Sequence, residues 1–223
     1  MERRTDIKRD TKPLSPVLFK NPKEKEELEA RNGLLQFDEV IRLVDEANQT
    51  GDFKLNLSTI QDLHRIAIQD IYTCAGEIRK DPVKINGTSH EPPPAGVVPK
   101  FLEEMLKYVN DHWDAVSPIH IAAYLMWMVN WIHPFMGGNG RTARAVSYLA
   151  LCVKLGYRLP GENTIPEQIE ENPAPYYEAL DSADDAYKNG KIDVSLMETF
   201  LTNLFLVQLK ETYQKAIGKK QSH

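Results

Sequence analysis

Residues 117–144 read SPIHIAAYLMWMVNWIHPFMGGNGRTAR. Ser117 followed by Pro118 is a helix start, because a serine hydroxyl can accept from an early unpaired N–H and proline lacks only a donor that the first turn leaves unused. Ile119 to Ile132 is apolar on nearly every face but falls short of the roughly 20 residues that cross a bilayer. It also carries His120 and Asn130, so the expectation is a helix buried inside a helical core. Glycines at 137, 138 and 140 interrupt it, and a second helix is predicted from Arg141 to Leu155, stopped by Gly156.

Working outward, the flanks are also helical. Phe37, Val40, Ile41, Val44 and Ala47 recur at helical spacing after an acidic stretch, Lys23 to Asn32, and two short helices around Asn32-Gly33 fit that pattern. Asn56 or Ser58 caps a helix reaching about Tyr72, and further helices are expected over Val97–His112, Pro175–Ala186 and about Val194–Lys215. Val83 and Ile85, followed by Asn86-Gly87 and Thr88-Ser89, predict a small β-hairpin, since Asn-Gly takes the positive φ of a two-residue turn. Pro92-Pro93-Pro94 end it. Residues 1–22, with Pro13, Pro16 and Pro22, read as an extended arm. The resulting fold class is all-α, bundle-like, with one hairpin, divided into 1–36 (arm and short helix), 37–217 (main domain) and 218–223 (tail).

Bulk properties exclude several functions. The chain has 223 residues, and 27 Lys+Arg against 32 Asp+Glu give a net charge of −5, which favours neither nucleic acid nor an anionic membrane. Met1 to Lys12 has no apolar signal region, so a cytoplasmic protein is expected. Cys74 and Cys152 are far apart and read as free buried thiols. His112 and His120 lack zinc-site context, and His64 reads as a surface or boundary residue. Trp113, Trp127 and Trp131 read as core or boundary aromatics.

Chemistry concentrates in His133 to Arg144. A loop of small residues leading into a helix start presents unpaired N–H groups to an anion. Arg141 and Arg144, three apart, add forked donors suited to phosphate. His133 is the one side chain of the segment able to accept a proton near neutral pH. A tight interhelical turn, with its arginines on carboxylates, is the simpler alternative, but base, cradle and two arginines within twelve residues favour an anion site. There is no P-loop spacing, and the Gly run follows a helix rather than a strand, so a Rossmann fingerprint is unsupported.

HPFMGGNGRTAR resembles the signature of the Fic (Fic/Doc) family, HxFx(D/E)GNGRxxR, differing at one fixed position. The similarity extends from about Phe37 to Phe205 and includes GEIRKDPVKINGTSHEPPPAGVVPKFLEEM (76–105) and NPAPYYEALDSADD (172–185). The resemblance implies a Fic-type helical bundle with a β-hairpin flap. It also implies transfer of AMP, or another nucleoside monophosphate, from a nucleotide to a Ser, Thr or Tyr hydroxyl of a target protein, with ATP as donor. His133 would be the base, Phe135 would fix the loop, and Gly138, Asn139 and Gly140 would cradle phosphates, Asn139 also through its amide. Arg141 and Arg144 would hold the β- and terminal phosphates. The flap, Val83, Lys84, Ile85, Asn86, Gly87, Thr88 and Ser89, would pair with an extended target segment. Tyr176 and Tyr177 would lie near the nucleotide base or in the core.

Two departures matter. Gly137 stands where the family has a carboxylate for Mg²⁺, so the motif supplies no metal ligand and any Mg²⁺ would be carried by the nucleotide. A catalytically impaired nucleotide-binding or partner-docking module is therefore the alternative to an enzyme. No stretch matches the family's inhibitory (S/T)xxxE(G/N) helix; the nearest arrangement offers Glu29, which would pair with Arg144. Amphipathic helices at both ends leave room for a homodimer.

Overall fold

The computed structural model describes residues 9–11 and 16–220. The rest of the N-terminal arm, and 221–223 of the tail, lie outside the described residues. The elements run β1 (Asp10–Thr11), α1 (Pro22–Thr50), α2 (Leu57–Ile68), β2 (Ile85–Asn86), α3 (Val98–Asp111), α4 (Pro118–Ile132), α5 (Asn139–Leu155), α6 (Ile165–Glu171), α7 (Ala174–Lys188) and α8 (Ser195–Lys220). Among the described residues the regular elements are helices, apart from the β1–β2 pair and an isolated Val17–Tyr72 bridge.

Helix α4 is the axis of the molecule. Ser117 caps it by accepting from the His120 N–H at 3.1 Å, and Pro118 occupies its first turn. Residues Ile121 to Val129 are all buried, which is why that stretch is apolar on every face. It packs on α3, α5, α7 and α8, while α5 in turn meets α1, α2 and α6. Leu125, Trp127, Val129, Val146, Leu149 and Cys152 fill the space between them. Each fully buried aliphatic or aromatic side chain contributes about 1.5–3 kcal/mol. Cys74 and Cys152 are free and buried. No helix among the described residues is long and apolar enough to cross a membrane.

Two local expectations are corrected. The helix pair around Asn32-Gly33 is one unbroken helix of 29 residues, running through position 36–37. A mid-helix glycine costs about 1 kcal/mol, and buried neighbours offset it: Asn32 Nδ2 donates to the Gln69 carbonyl at 2.7 Å and Gln36 Nε2 to that of Leu63 at 2.8 Å. Both contacts pin α1 along α2.

The second correction concerns the hairpin. Gly87 does take a positive φ of 77°, but β2 pairs antiparallel with β1 of the N-terminal arm, Asp10 opposite Asn86 and Thr11 opposite Ile85. After the turn, the three prolines lack the N–H donors that a returning strand needs. The edge of β2 is left to a segment about 75 residues earlier in the chain.

Candidate active site

His133 ends α4 in the left-handed region (φ 50°), its N–H still bonded to the Val129 carbonyl at 3.0 Å. A bulky non-glycine residue held there is strained and must be fixed by its surroundings. Arg79 does much of that. Only 3% exposed, it donates from Nε to the His133 carbonyl at 2.7 Å, from one terminal nitrogen to the carbonyls of Pro93 and Ile132, and from the other to that of Asp81. Its own N–H donates to the Pro134 carbonyl at 2.9 Å. One guanidinium thus satisfies carbonyls that the end of α4 leaves unpaired.

Beyond His133 the loop is clamped from within. Asn139 is buried, its Oδ1 accepting from the Phe135 N–H at 3.0 Å and its Nδ2 donating to the Phe135 carbonyl at 2.9 Å. The amide expected to face phosphate is committed to the loop's own backbone. Phe135 is fully buried and lies flat on His64, ring centroids 3.6 Å apart. His64 is therefore no surface residue. Its Nδ1 accepts the Gly76 N–H at 3.0 Å, which leaves Nε2–H to donate to the Gly137 carbonyl at 2.9 Å. Burial pushes this ring down to about 3, so it stays neutral. Gly138 has φ 72°, and a Cβ there would sit 2.6 Å from Ile68 Cγ2; glycine is the side chain that fits.

The base itself is 6% exposed. Burial first, then the Arg79 and His90 charges, lower His133 to about 3, and the Asn130 main chain offsets the shift only in part. Nδ1 makes no hydrogen bond, while Nε2 lies 2.7 Å from Thr11 Oγ1. With the ring proton on Nδ1, Nε2 is a free acceptor and the Thr11 hydroxyl donates to it. A neutral imidazole aimed at a hydroxyl is the arrangement general-base catalysis requires.

On α5, Gly138 to Gly140 open the helix with no side-chain cap, so their N–H groups are available to an anion. Arg141 donates to the Ala67 carbonyl at 3.0 Å and pairs with Glu29 at 3.4 Å. Arg144 pairs with Glu170. The expected Glu29–Arg144 pair is thus a Glu29–Arg141 pair, because α1 crosses α5 nearer its first turn, and α6 brings Glu170 to Arg144. Burial lowers Arg141 from its ordinary value, yet guanidinium remains charged at any working pH. Within Val83 to Ser89, Ile85 and Asn86 form β2, whose partner strand β1 carries Thr11 to His133.

Residues 54–151 match the sequence profile of the Fic/DOC family. That stretch of the chain is similar to the Fic/DOC family. Over 132 residues it is 27% identical to a protein from Drosophila persimilis named protein adenylyltransferase Fic, covering 58% of this chain and 25% of that one. A homologue of the same name from Drosophila ananassae is 26% identical. The chain thus spans about a quarter of the length of these curated relatives. Among solved structures, a Fic-domain-containing signalling protein from Bacteroides thetaiotaomicron superposes with a TM-score of 0.69 at 20% identity, over 86% of this chain and 74% of that one. Fic-1 from C. elegans gives 0.63 at 22% identity, over 93% and 56%. This chain shares the Fic fold with both solved structures.

Against the Fic signature, Gly137 offers no side-chain oxygen, and its carbonyl is already taken by His64. Among the described residues no group of three or more His, Cys, Asp or Glu could hold a metal ion. The motif does not fit a protein-held Mg²⁺.

Sequence reasoning brought His133, Phe135, Gly138, Asn139, Gly140, Arg141 and Arg144 to one loop and helix start, and the structure keeps them together. It placed His64 at the surface or boundary, and it missed Arg79, Glu170 and His90. The last donates from Nε2 to the Trp131 carbonyl at 2.9 Å and faces buried Asp184 at 3.3 Å, which also accepts from Trp127 Nε1 at 2.8 Å. Burial raises the Asp184 carboxyl. An arginine at 79 and a histidine at 90, both ahead of the triple proline at 92–94, were the available signal. Tyr176 is buried, its hydroxyl accepting from Asn130 Nδ2 at 2.7 Å, while the Tyr177 hydroxyl accepts the Arg9 N–H at 3.2 Å.

Proposed function

We propose that this chain transfers a nucleoside monophosphate, AMP from ATP, to a hydroxyl side chain of a protein. The observation that carries the reading is the neutral His133, its Nε2 at hydrogen-bond distance from a hydroxyl presented on a strand paired to β2. Six residues on, the open helix start and two arginines offer an anion cradle. In the reaction His133 Nε2 takes the hydroxyl proton and the oxygen attacks the α-phosphorus. The bond to pyrophosphate breaks, and pyrophosphate leaves among Arg141, Arg144 and the N–H groups of Gly138 to Gly140. The flap edge accepts an extended segment through main-chain hydrogen bonds, a form of strand addition that places the acceptor hydroxyl without reading its sequence. Any Mg²⁺ arrives on the nucleotide's own oxygens.

Transfer of label from α-labelled ATP, CTP, GTP or UTP into protein, with pyrophosphate release, tests this. His133→Ala is expected to lower the rate about 10²–10⁴-fold, and Gly137→Glu to keep or raise it, since Gly137 is not in the left-handed region and a side chain meets no backbone strain there. Unchanged turnover in both variants overturns the mechanism. A nucleotide-binding or partner-docking module is the second reading. It is favoured by Gly137 and by the pairing of both arginines with glutamates; nucleotide binding without turnover for every donor would establish it.

A further inference from the structure

The strand seated on the flap is the chain's own. Thr11 lies on β1, in register with Ile85, and its Oγ1 is 2.7 Å from the Nε2 of His133. Strand pairing fixes the direction of successive side chains, so the residue reaching the base is set by register, and the register here delivers a hydroxyl. A passing contact of a loose arm would not need further anchoring, but this arm is held on both sides of Thr11. On one side, the Arg9 N–H donates to the Tyr177 hydroxyl at 3.2 Å. Its guanidinium donates to Asp181 at 2.7 Å and lies 4.6 Å from the centre of the Tyr177 ring. On the other side, the Leu18 N–H donates to the Ile71 carbonyl at 3.0 Å and the Thr73 N–H to that of Pro16 at 3.3 Å. Val17 bridges to Tyr72, and Phe19 meets its ring edge-on. A short two-residue strand would be marginal alone; these contacts hold it in place.

From this geometry we infer that Thr11 is an intramolecular acceptor, the residue on which the chain modifies itself when a nucleoside triphosphate occupies the cradle. The inference rests on the transferase reading above. The Thr11 O–H bond breaks with its proton passing to His133 Nε2, a bond forms between Oγ1 and the α-phosphorus, and the bond from that phosphorus to the pyrophosphate oxygen breaks. The products are a phosphodiester-linked nucleoside monophosphate on Thr11 and free pyrophosphate, with no change of oxidation state. Because acceptor and base belong to one chain, the rate per molecule does not depend on protein concentration. The same pairing means that an external target must displace β1 to reach the flap, so arm and target compete for one edge.

The test is intact-mass and peptide-mapping mass spectrometry of the full chain incubated with ATP across a range of protein concentrations, beside Thr11→Ala, Thr11→Ser, Arg9→Ala and His133→Ala. A synthetic peptide of residues 6–14, whose only hydroxyl is that of Thr11, is offered separately in trans. The expected result is one nucleotide adduct on Thr11, formed at a concentration-independent rate. It is kept in Thr11→Ser and lost in Thr11→Ala and His133→Ala. Arg9→Ala slows it about tenfold or more, because a small misplacement of reacting groups costs rate on that order, without slowing transfer to the peptide. An adduct mapping to other residues and undiminished in Thr11→Ala overturns the inference and leaves the transferase reading intact. So does modification of the peptide with none of the chain. No adduct on chain or peptide and no pyrophosphate release overturns both.

Discussion

At the residue scale, the site is built from charges and rings whose partners decide what they can do. Arg141 holds its Glu29 partner at 3.4 Å, with the two side chains 22% and 35% exposed. An ion pair so open to water is worth up to about 1 kcal/mol. A phosphate binding at Arg141 must displace Glu29, so Glu29→Gln is expected to tighten ATP binding by about threefold to fivefold, read by titration of a fluorescent ATP analogue. Unchanged affinity would mean that the carboxylate does not oppose the phosphate. Arg79 has the opposite character, a buried cation whose donors all meet main-chain carbonyls around His133. Arg79→Met keeps much of the volume and leaves those carbonyls unpaired, which costs about 1–3 kcal/mol for each buried acceptor left without a donor. Denaturant unfolding is expected to show that loss, with transfer activity falling even under conditions where the variant stays folded, because His133 loses its constraint.

Among the elements, α1 is where local and tertiary preferences conflict. Gly33 lies mid-helix, and a Cβ built there meets nothing within 4 Å. Gly33→Ala should therefore stabilise the protein by about 0.5–1 kcal/mol through helix propensity, raising the melting temperature by about 2 °C for a chain of this size. A lower melting temperature would show that α1 needs a weak point there. The same conflict explains what could be read in advance. Helix starts at Asn56 and Ser117 and the stop at Gly156 were legible because caps are local chemistry, confirmed by Asn56 accepting from the Thr59 N–H at 2.9 Å. Continuity through Gly33 was not, since it depends on Asn32 and Gln36 finding carbonyls on α2. The Asn86-Gly87 turn was legible and its strand partner was not, because turn chemistry says nothing about an arm arriving from residue 10. Likewise His133 and the α5 start stood out as one contiguous motif, whereas Arg79, His64 and Glu170 reach it across tens of residues without a repeating pattern.

For the whole molecule, the two buried histidines couple the integrity of the site to pH. His64 and His133 both sit near 3 in the folded chain, against an ordinary value of 6.5, burial being the first cause in each case. Above 6.5 both states of the chain carry these rings neutral, and the stability they allow is fully present. Below it the unfolded chain binds two protons that the folded chain refuses, so stability falls as pH drops from 6.5 toward 3, by about 1.4 kcal/mol per histidine for each pH unit. Between pH 7.5 and 5.5, urea unfolding is expected to show a loss of about 3 kcal/mol. His133→Gln, which removes one titrating ring, should roughly halve it, and a pH-independent midpoint across that window would contradict the buried neutral state of both rings. The catalytic consequence runs the other way. A base that remains unprotonated down to about 3 has no acid limb near 6.5, so transfer measured between pH 5 and 8 should lack the fall that an ordinary histidine gives. Any loss of rate on acidification should follow the loss of folded protein, and comparing the rate with the folded fraction at each pH separates the two.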